Sequence, residues 1–140
     1  MEGSEPGNSW WIGGLTAITA QTLQSQNFFK FNIADTATTY INLFYYGYGY
    51  TDSQLNFSFD CDINSDGTKD KSYEYNVPVE EIGWHKVSFK LSQLKSNNVL
   101  IQSEVEKLTT LYISLISKGT ARTNIGCSID YIIITQGKPL

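Results

Sequence analysis

At 140 residues, 41% hydrophobic and only 17% charged, the chain is long enough to bury roughly two thirds of its unfolded surface. A net charge of -4, a pI near 4.8 and a single arginine, Arg122, leave no basic footprint for nucleic acid or anionic lipid. No apolar run approaches the roughly 20 residues of a membrane span.

The opening MEGSEPGNSWW has neither a basic start nor an apolar core, so it does not read as a signal peptide. Residues 1–9 read as a leader and residues 10–140 as a single domain. The chain is expected to be either cytoplasmic or a piece of a secreted protein, and the ending QGKPL fits a domain cut from something longer.

From there the dominant signal is alternation of apolar and polar residues, the mark of half-buried strands. FFKFNI (Phe28–Ile33) sets Phe29, Phe31 and Ile33 on one face. TTYINLFYYGYGY sets Ile41, Leu43 and Tyr45 on one face and Tyr40, Asn42, Phe44, Tyr46, Tyr48 and Tyr50 on the other. In LNFSFDC, Leu55, Phe57, Phe59 and Cys61 oppose Asn56, Ser58 and Asp60; KSYEYNV groups Tyr73, Tyr75 and Val77. WHKVSFKL groups Val87, Phe89 and Leu91 against Trp84, Lys86, Ser88 and Lys90. LYISLI and CSIDYIII complete the set, the last apolar enough for a central strand.

The segments YGYGYTDSQ, NSDGTKD, EIGW and SKGTART read as turns. SEVEKLTTL predicts one short helix with Val105, Leu108 and Leu111 inward, and LSQLKSN a further helical turn. Many short antiparallel strands with little helix predict an all-β sandwich. Cys61 and Cys127 are too few for a disulfide scaffold; they read as two buried thiols or as one bridge between neighbouring strands.

The tyrosine-rich run is the most suggestive stretch. With Ile41, Leu43 and Tyr45 turned inward, some of Tyr46, Tyr48 and Tyr50 face outward, and Gly47 and Gly49 mark the bend where the strand leaves its sheet. The rings either pack on the core rim or form a platform for the apolar C–H faces of a sugar. For such a platform the candidate contacts are Trp10, Trp11, Tyr46, Tyr48, Tyr50 and Trp84, with Asn42 or Gln54 as polar partners.

The segment DINSDGTKD places Asp62, Asn64, Asp66 and Asp70 at alternating calcium-loop positions, with Gly67 at the sharp turn. The bidentate acid expected at the loop's end is missing, since Tyr73 stands there. The same residues also make an ordinary hairpin turn between Leu55–Asp62 and Lys71–Val77. Bound Ca2+ and a metal-free hairpin both remain open.

No catalytic constellation stands out. His85 is a lone histidine on an apolar parity, and Asp60 with Glu74 is the best acid pair, on an outer face. Asp130, inside so apolar a strand, is expected to be anchored by backbone amides or a cation. The expectation is a chain that is not an enzyme.

The order NSWWIGG, FFKFNI, LNFSFDCDINSDG, YEYNVPVEEIGWHKVSFKLSQL, SIDYIIITQGKPL resembles the galactose-binding-domain-like jelly rolls. These are found as non-catalytic modules in surface glycan-binding lipoproteins and glycosidases of gut bacteria. GWHKVSFKLSQL and the terminal Ile-Asp-Tyr strand carry most of the likeness, which spans about residues 10–138. The resemblance implies a jelly-roll fold, polysaccharide binding on one face or at loop tips, and often a structural calcium. It also implies an extracytoplasmic setting, at the cell surface or secreted, within a larger protein. The spaced pair of platform tryptophans is absent, and the loop acids match no single calcium pattern. The alternative from another class is a structural or protein-interaction module whose outer rings meet neighbouring domains.

Overall fold

The computed structural model describes residues 2–5, 12–19, 35–51, 53–96, 99–117 and 122–140. The expected strand Phe28–Ile33 and the pair Trp10 and Trp11 lie outside the described residues. Eight strands are described: β1 (Glu2–Glu5), β2 (Ile12–Thr19), β3 (Thr39–Gly47), β4 (Ser53–Cys61), β5 (Lys71–Pro78), β6 (Gly83–Lys90), β7 (Leu108–Ser117) and β8 (Arg122–Gln136). They form two antiparallel sheets, in the orders β1-β8-β3-β6 and β2-β7-β4-β5. Residues 2–5, read as a leader from sequence, run as an edge strand against β8. Pairing of that kind uses backbone groups and needs no apolar pattern.

The alternation read from sequence is what the sheets bury. Ile41, Leu43 and Tyr45 of β3 and Leu55, Phe57, Phe59 and Cys61 of β4 are all core residues. So are Tyr73 and Val77 of β5 and Phe89 of β6. Side chains from the two sheets meet directly. Phe57 packs edge-to-face on Phe89 at 5.2 Å, and Tyr75 stacks on Phe89 at 4.2 Å. Burying each such ring stabilises the fold by about 1.5–3 kcal/mol. Neither cysteine is in a disulfide and both are buried, and desolvation raises the Cys127 thiol pKa to about 11. Among the described residues no helix is long and apolar enough to cross a membrane.

Two local expectations change. The helix expected over 103–111 is a 3-10 segment, Gln102–Lys107, that gives way to β7 at Leu108. Val105, Leu108 and Leu111 are buried as expected, but the threonine pair Thr109–Thr110 prefers extended backbone and ends the helix. The turn expected in LSQLKSN is the 3-10 segment Leu91–Gln93.

Asp130 is not an anchored carboxylate. Phe44 pairs with Tyr131 and Tyr45 with Ile129, so Asp130 is the extra residue of a β-bulge, and it is exposed. The bulge removes the need for a buried partner. It also resets the alternation, so that Tyr131 points outward while Ile132 and Ile134 pack on the core.

The 3-10 segment Gln102–Lys107 is tied to β5 by one acid. Glu104 accepts hydrogen bonds from Lys71 Nζ at 2.5 Å and from the hydroxyl of the buried Tyr73. Burial pushes the Glu104 carboxyl up, but the hydrogen bonds from Lys71 and Tyr73 outweigh it and hold the pKa below its usual value. A depressed acid contributes stability that is complete above its unfolded pKa, about 4.3, and lost as pH falls through the folded value. We therefore predict that Glu104→Gln lowers the melting temperature at neutral pH and flattens its fall on acidification. Melting curves from neutral to strongly acid pH check this, and parallel curves for both proteins would refute it.

Candidate functional site

The site is built on the outer face of the sheet that holds β3. Because Ile41, Leu43 and Tyr45 are committed inward, period-two geometry turns Phe44 and Tyr46 out. The register then sets Tyr46 opposite Trp84 on β6 and Phe44 opposite Tyr131 on β8. Phe44 lies between two rings, stacked on Trp84 at 4.9 Å and 13° and on Tyr131 at 5.4 Å and 21°.

Tyr46 meets Trp84 edge-on at 5.4 Å, and Tyr48 continues the row at 5.6 Å from Tyr46. Tyr50 closes it, 6.3 Å from Tyr48. The row is one contiguous band of rings, not a flat platform: Tyr46, Tyr48 and Tyr50 are tilted against one another by 56° and 76°.

Trp84, between Phe44 and Tyr46, is the most exposed ring of this band. β6 is the edge strand of its sheet, and Phe44 covers the indole from the β3 side. At 55% exposure, Trp84 presents more surface than Tyr48 or Tyr50, each at 37%. The Tyr48 hydroxyl lies 2.5 Å from Ser128 Oγ, which fixes that ring over the β8 side.

The two glycines do different work. A Cβ on Gly47 would come within 2.0 Å of the Glu81 carbonyl oxygen and 3.1 Å of that of Val79, so the 79–82 connection crosses directly over the end of β3. Gly49, at φ +80°, lies under Ile82, which is itself 72% exposed. Gly47 thus allows the connection to deliver Ile82 and Trp84 beside the tyrosines.

The polar partners proposed from sequence lie elsewhere. Asn42 is on the ring-bearing face but fully buried. Its Oδ1 accepts from Ser88 Oγ (2.7 Å) and Leu140 N (3.0 Å). Its Nδ2 donates to Ile133 O (3.0 Å) and Thr135 Oγ1 (2.9 Å). That is the full complement of an amide. The segment 137–140 folds over it, turning at Gly137 (φ +85°) and held by Lys86 Nζ on the Leu140 oxygen at 2.5 Å. Gln54, 8% exposed, belongs to β4 in the other sheet and is not brought to the rings. Phe44 and Tyr131 were not among the expected contacts. Parity signalled Phe44, but Tyr131 required the register and the bulge.

The acidic loop turns its oxygens onto its own amides. Asp62 accepts from Asp66 N (3.2 Å) and Gly67 N (2.9 Å), and Asn64 Oδ1 from Asp66 N (3.2 Å). Asp66 accepts from Thr68 N (2.8 Å), and Asp70 from Ile63 N (2.7 Å) and Asn64 N (3.3 Å). The hydroxyl and amide of Thr68 hold the Asp66 pKa below its usual value. Tyr73, at the position of the missing bidentate ligand, is buried against Glu104. Among the described residues no group of three or more His, Cys, Asp or Glu converges to hold a metal ion. The acid pair of the outer face is likewise engaged, Asp60 by Ser72 (2.9 Å) and Glu74 by Asn56 (3.2 Å).

Two outcomes follow from this geometry. Gly47→Ala should destabilise the protein by about 1–3 kcal/mol, the usual cost of overpacking, and shift tryptophan emission as the 79–82 connection moves. Unchanged melting and emission would contradict the close approach. Asp62→Ala should cost about 1 kcal/mol, because Gly67 N loses its acceptor and Asp66 N keeps only Asn64. Because loop amides draw on Asp62, the loss should persist in EDTA, and a loss seen only with calcium present would contradict this.

No protein-family model, curated protein or solved structure matches the chain.

Proposed function

We propose that this chain is a non-catalytic carbohydrate-binding module of an extracytoplasmic protein, its two sheets forming the layers of a jelly-roll-like β-sandwich. One observation carries the reading: a band of six contacting rings across β3, β6 and β8 includes a Trp84 that is 55% exposed. An exposed apolar band on a folded domain marks an interaction surface. Indole and phenol groups suit a saccharide because they combine large rigid apolar area with polar edges and little rotamer entropy. In this reading the pyranose C–H face stacks on the uncovered side of Trp84, and the Tyr48 and Tyr50 hydroxyls meet sugar hydroxyls. A cell-surface or secreted setting, within a parent protein that carries further domains, goes with this reading.

A second reading is a structural or protein-interaction module. It is favoured by Ile82, which enlarges the patch with aliphatic surface that a sugar does not use.

Electrophoresis in gels cast with different polysaccharides separates the two. Carbohydrate binding predicts retardation by at least one glycan, and a loss of affinity of about tenfold or more in Trp84→Ala. Because Trp84 also stacks on Phe44 and meets Tyr46, the variant should melt somewhat lower, so binding is compared at a temperature where both proteins are folded. Normal mobility with every glycan would overturn the carbohydrate reading and leave the interaction module.

A further inference from the structure

A second recessed surface lies where the edges of the two sheets face each other. β5 ends one sheet and β6 the other, and between them is a cleft of about 380 Å3, within the size range of small-molecule sites. Its apolar wall includes the half-buried Tyr75, backed by Phe89 at 4.2 Å, and Val87. Its floor is closed by Tyr45, whose hydroxyl donates to the Pro78 oxygen at 3.1 Å.

The polar lining is mixed, and the Asn76 oxygen already accepts from Asn56 at 2.7 Å. Asn76, Glu80 and Glu81 lie along it, while the amine of Lys86 is held by the Leu140 oxygen. Glu81, whose side chain is 86% exposed, offers the cleft an open acceptor.

His85 brings an unsatisfied polar atom to the cleft wall. Its ring lines the cleft and stacks on Tyr45 at 5.3 Å, yet Nε2 is buried with no hydrogen-bond partner. Nδ1 stands 4.0 Å from Glu81, too far for a hydrogen bond. Such an atom has hydrogen-bonding capacity that the protein's own groups do not use.

We infer that this cleft is a binding site for a short, uncharged saccharide, separate from the ring band on the outer face. The aromatic wall takes an apolar sugar face. Glu81 accepts from sugar hydroxyls and disfavours uronates and sulfated sugars, and the His85 ring stands in the wall beside it. On β6 the residues serving the two sites alternate, with Trp84 outward and His85 inward.

His85 is the only histidine in the chain, so its ring-proton NMR resonances report on the cleft without ambiguity. The experiment titrates wild type, Glu81→Gln, Asn76→Ala and Trp84→Ala with cellobiose, lactose and digalacturonate. At least one neutral disaccharide should move the His85 resonances, and digalacturonate should not. Glu81→Gln and Asn76→Ala should each weaken the effect by about tenfold, and Trp84→Ala should leave it unchanged. The inference is overturned if no neutral sugar moves the resonances, if digalacturonate moves them as strongly, or if Trp84→Ala abolishes the effect. Because the gel assay reads Trp84 and this one reads His85, either site can fail while the other stands.

Discussion

The placement of β3 between β6 and β8 is the constraint on which the rest depends. Once Ile41, Leu43 and Tyr45 are committed to the core, Phe44 and Tyr46 have no interior to enter. The ladders on either side then decide which rings they meet: Trp84 and Tyr131 around Phe44, with Trp84 also against Tyr46. Stacked rings on neighbouring strands stabilise the sheet by roughly 0.5–1.5 kcal/mol per pair beyond burial, so the band is both a structural element and an exposed apolar surface. Its energetic content explains why rings persist on an outer face even before any ligand is considered.

Gly47 couples that face to the rest of the molecule. The 79–82 connection joins the two sheets, running from the end of β5 to the start of β6, and its carbonyls lie where any side chain at position 47 would have to stand. The same connection carries Glu80 and Glu81 to the edge cleft and hands Ile82 and Trp84 to the outer face. One close backbone contact therefore positions parts of both candidate sites, and a change there is felt in each.

Much of the fold was legible because alternation is a local property. The β4 pattern of Leu55, Phe57, Phe59 and Cys61 needed no partner to be read, and its hairpin with β5 followed from the intervening turn residues. What could not be read depended on pairing. Tyr131 joins the band only because Asp130 bulges out and resets the parity of β8, and nothing in SIDYIII marks where the extra residue falls. Asn42 looked available from parity alone, but the folded-back segment 137–140 takes all of its hydrogen-bonding capacity. Trp84 was legible as outward-facing, whereas its place in a ring stack on an edge strand required the register. The edge cleft left no trace, since its lining residues come from β3, β5, β6 and the connection between the last two, which only the fold brings together.

Photochemically induced nuclear polarisation, which reports tyrosine and tryptophan rings that a dissolved dye can touch, tests the central arrangement most directly. The account predicts polarised signals from Trp84, Tyr48 and Tyr50 and silence from Tyr45 and Tyr73. Strong polarisation of Tyr45 with none at Trp84 would mean that β3 presents the opposite face, and the ring band would not exist.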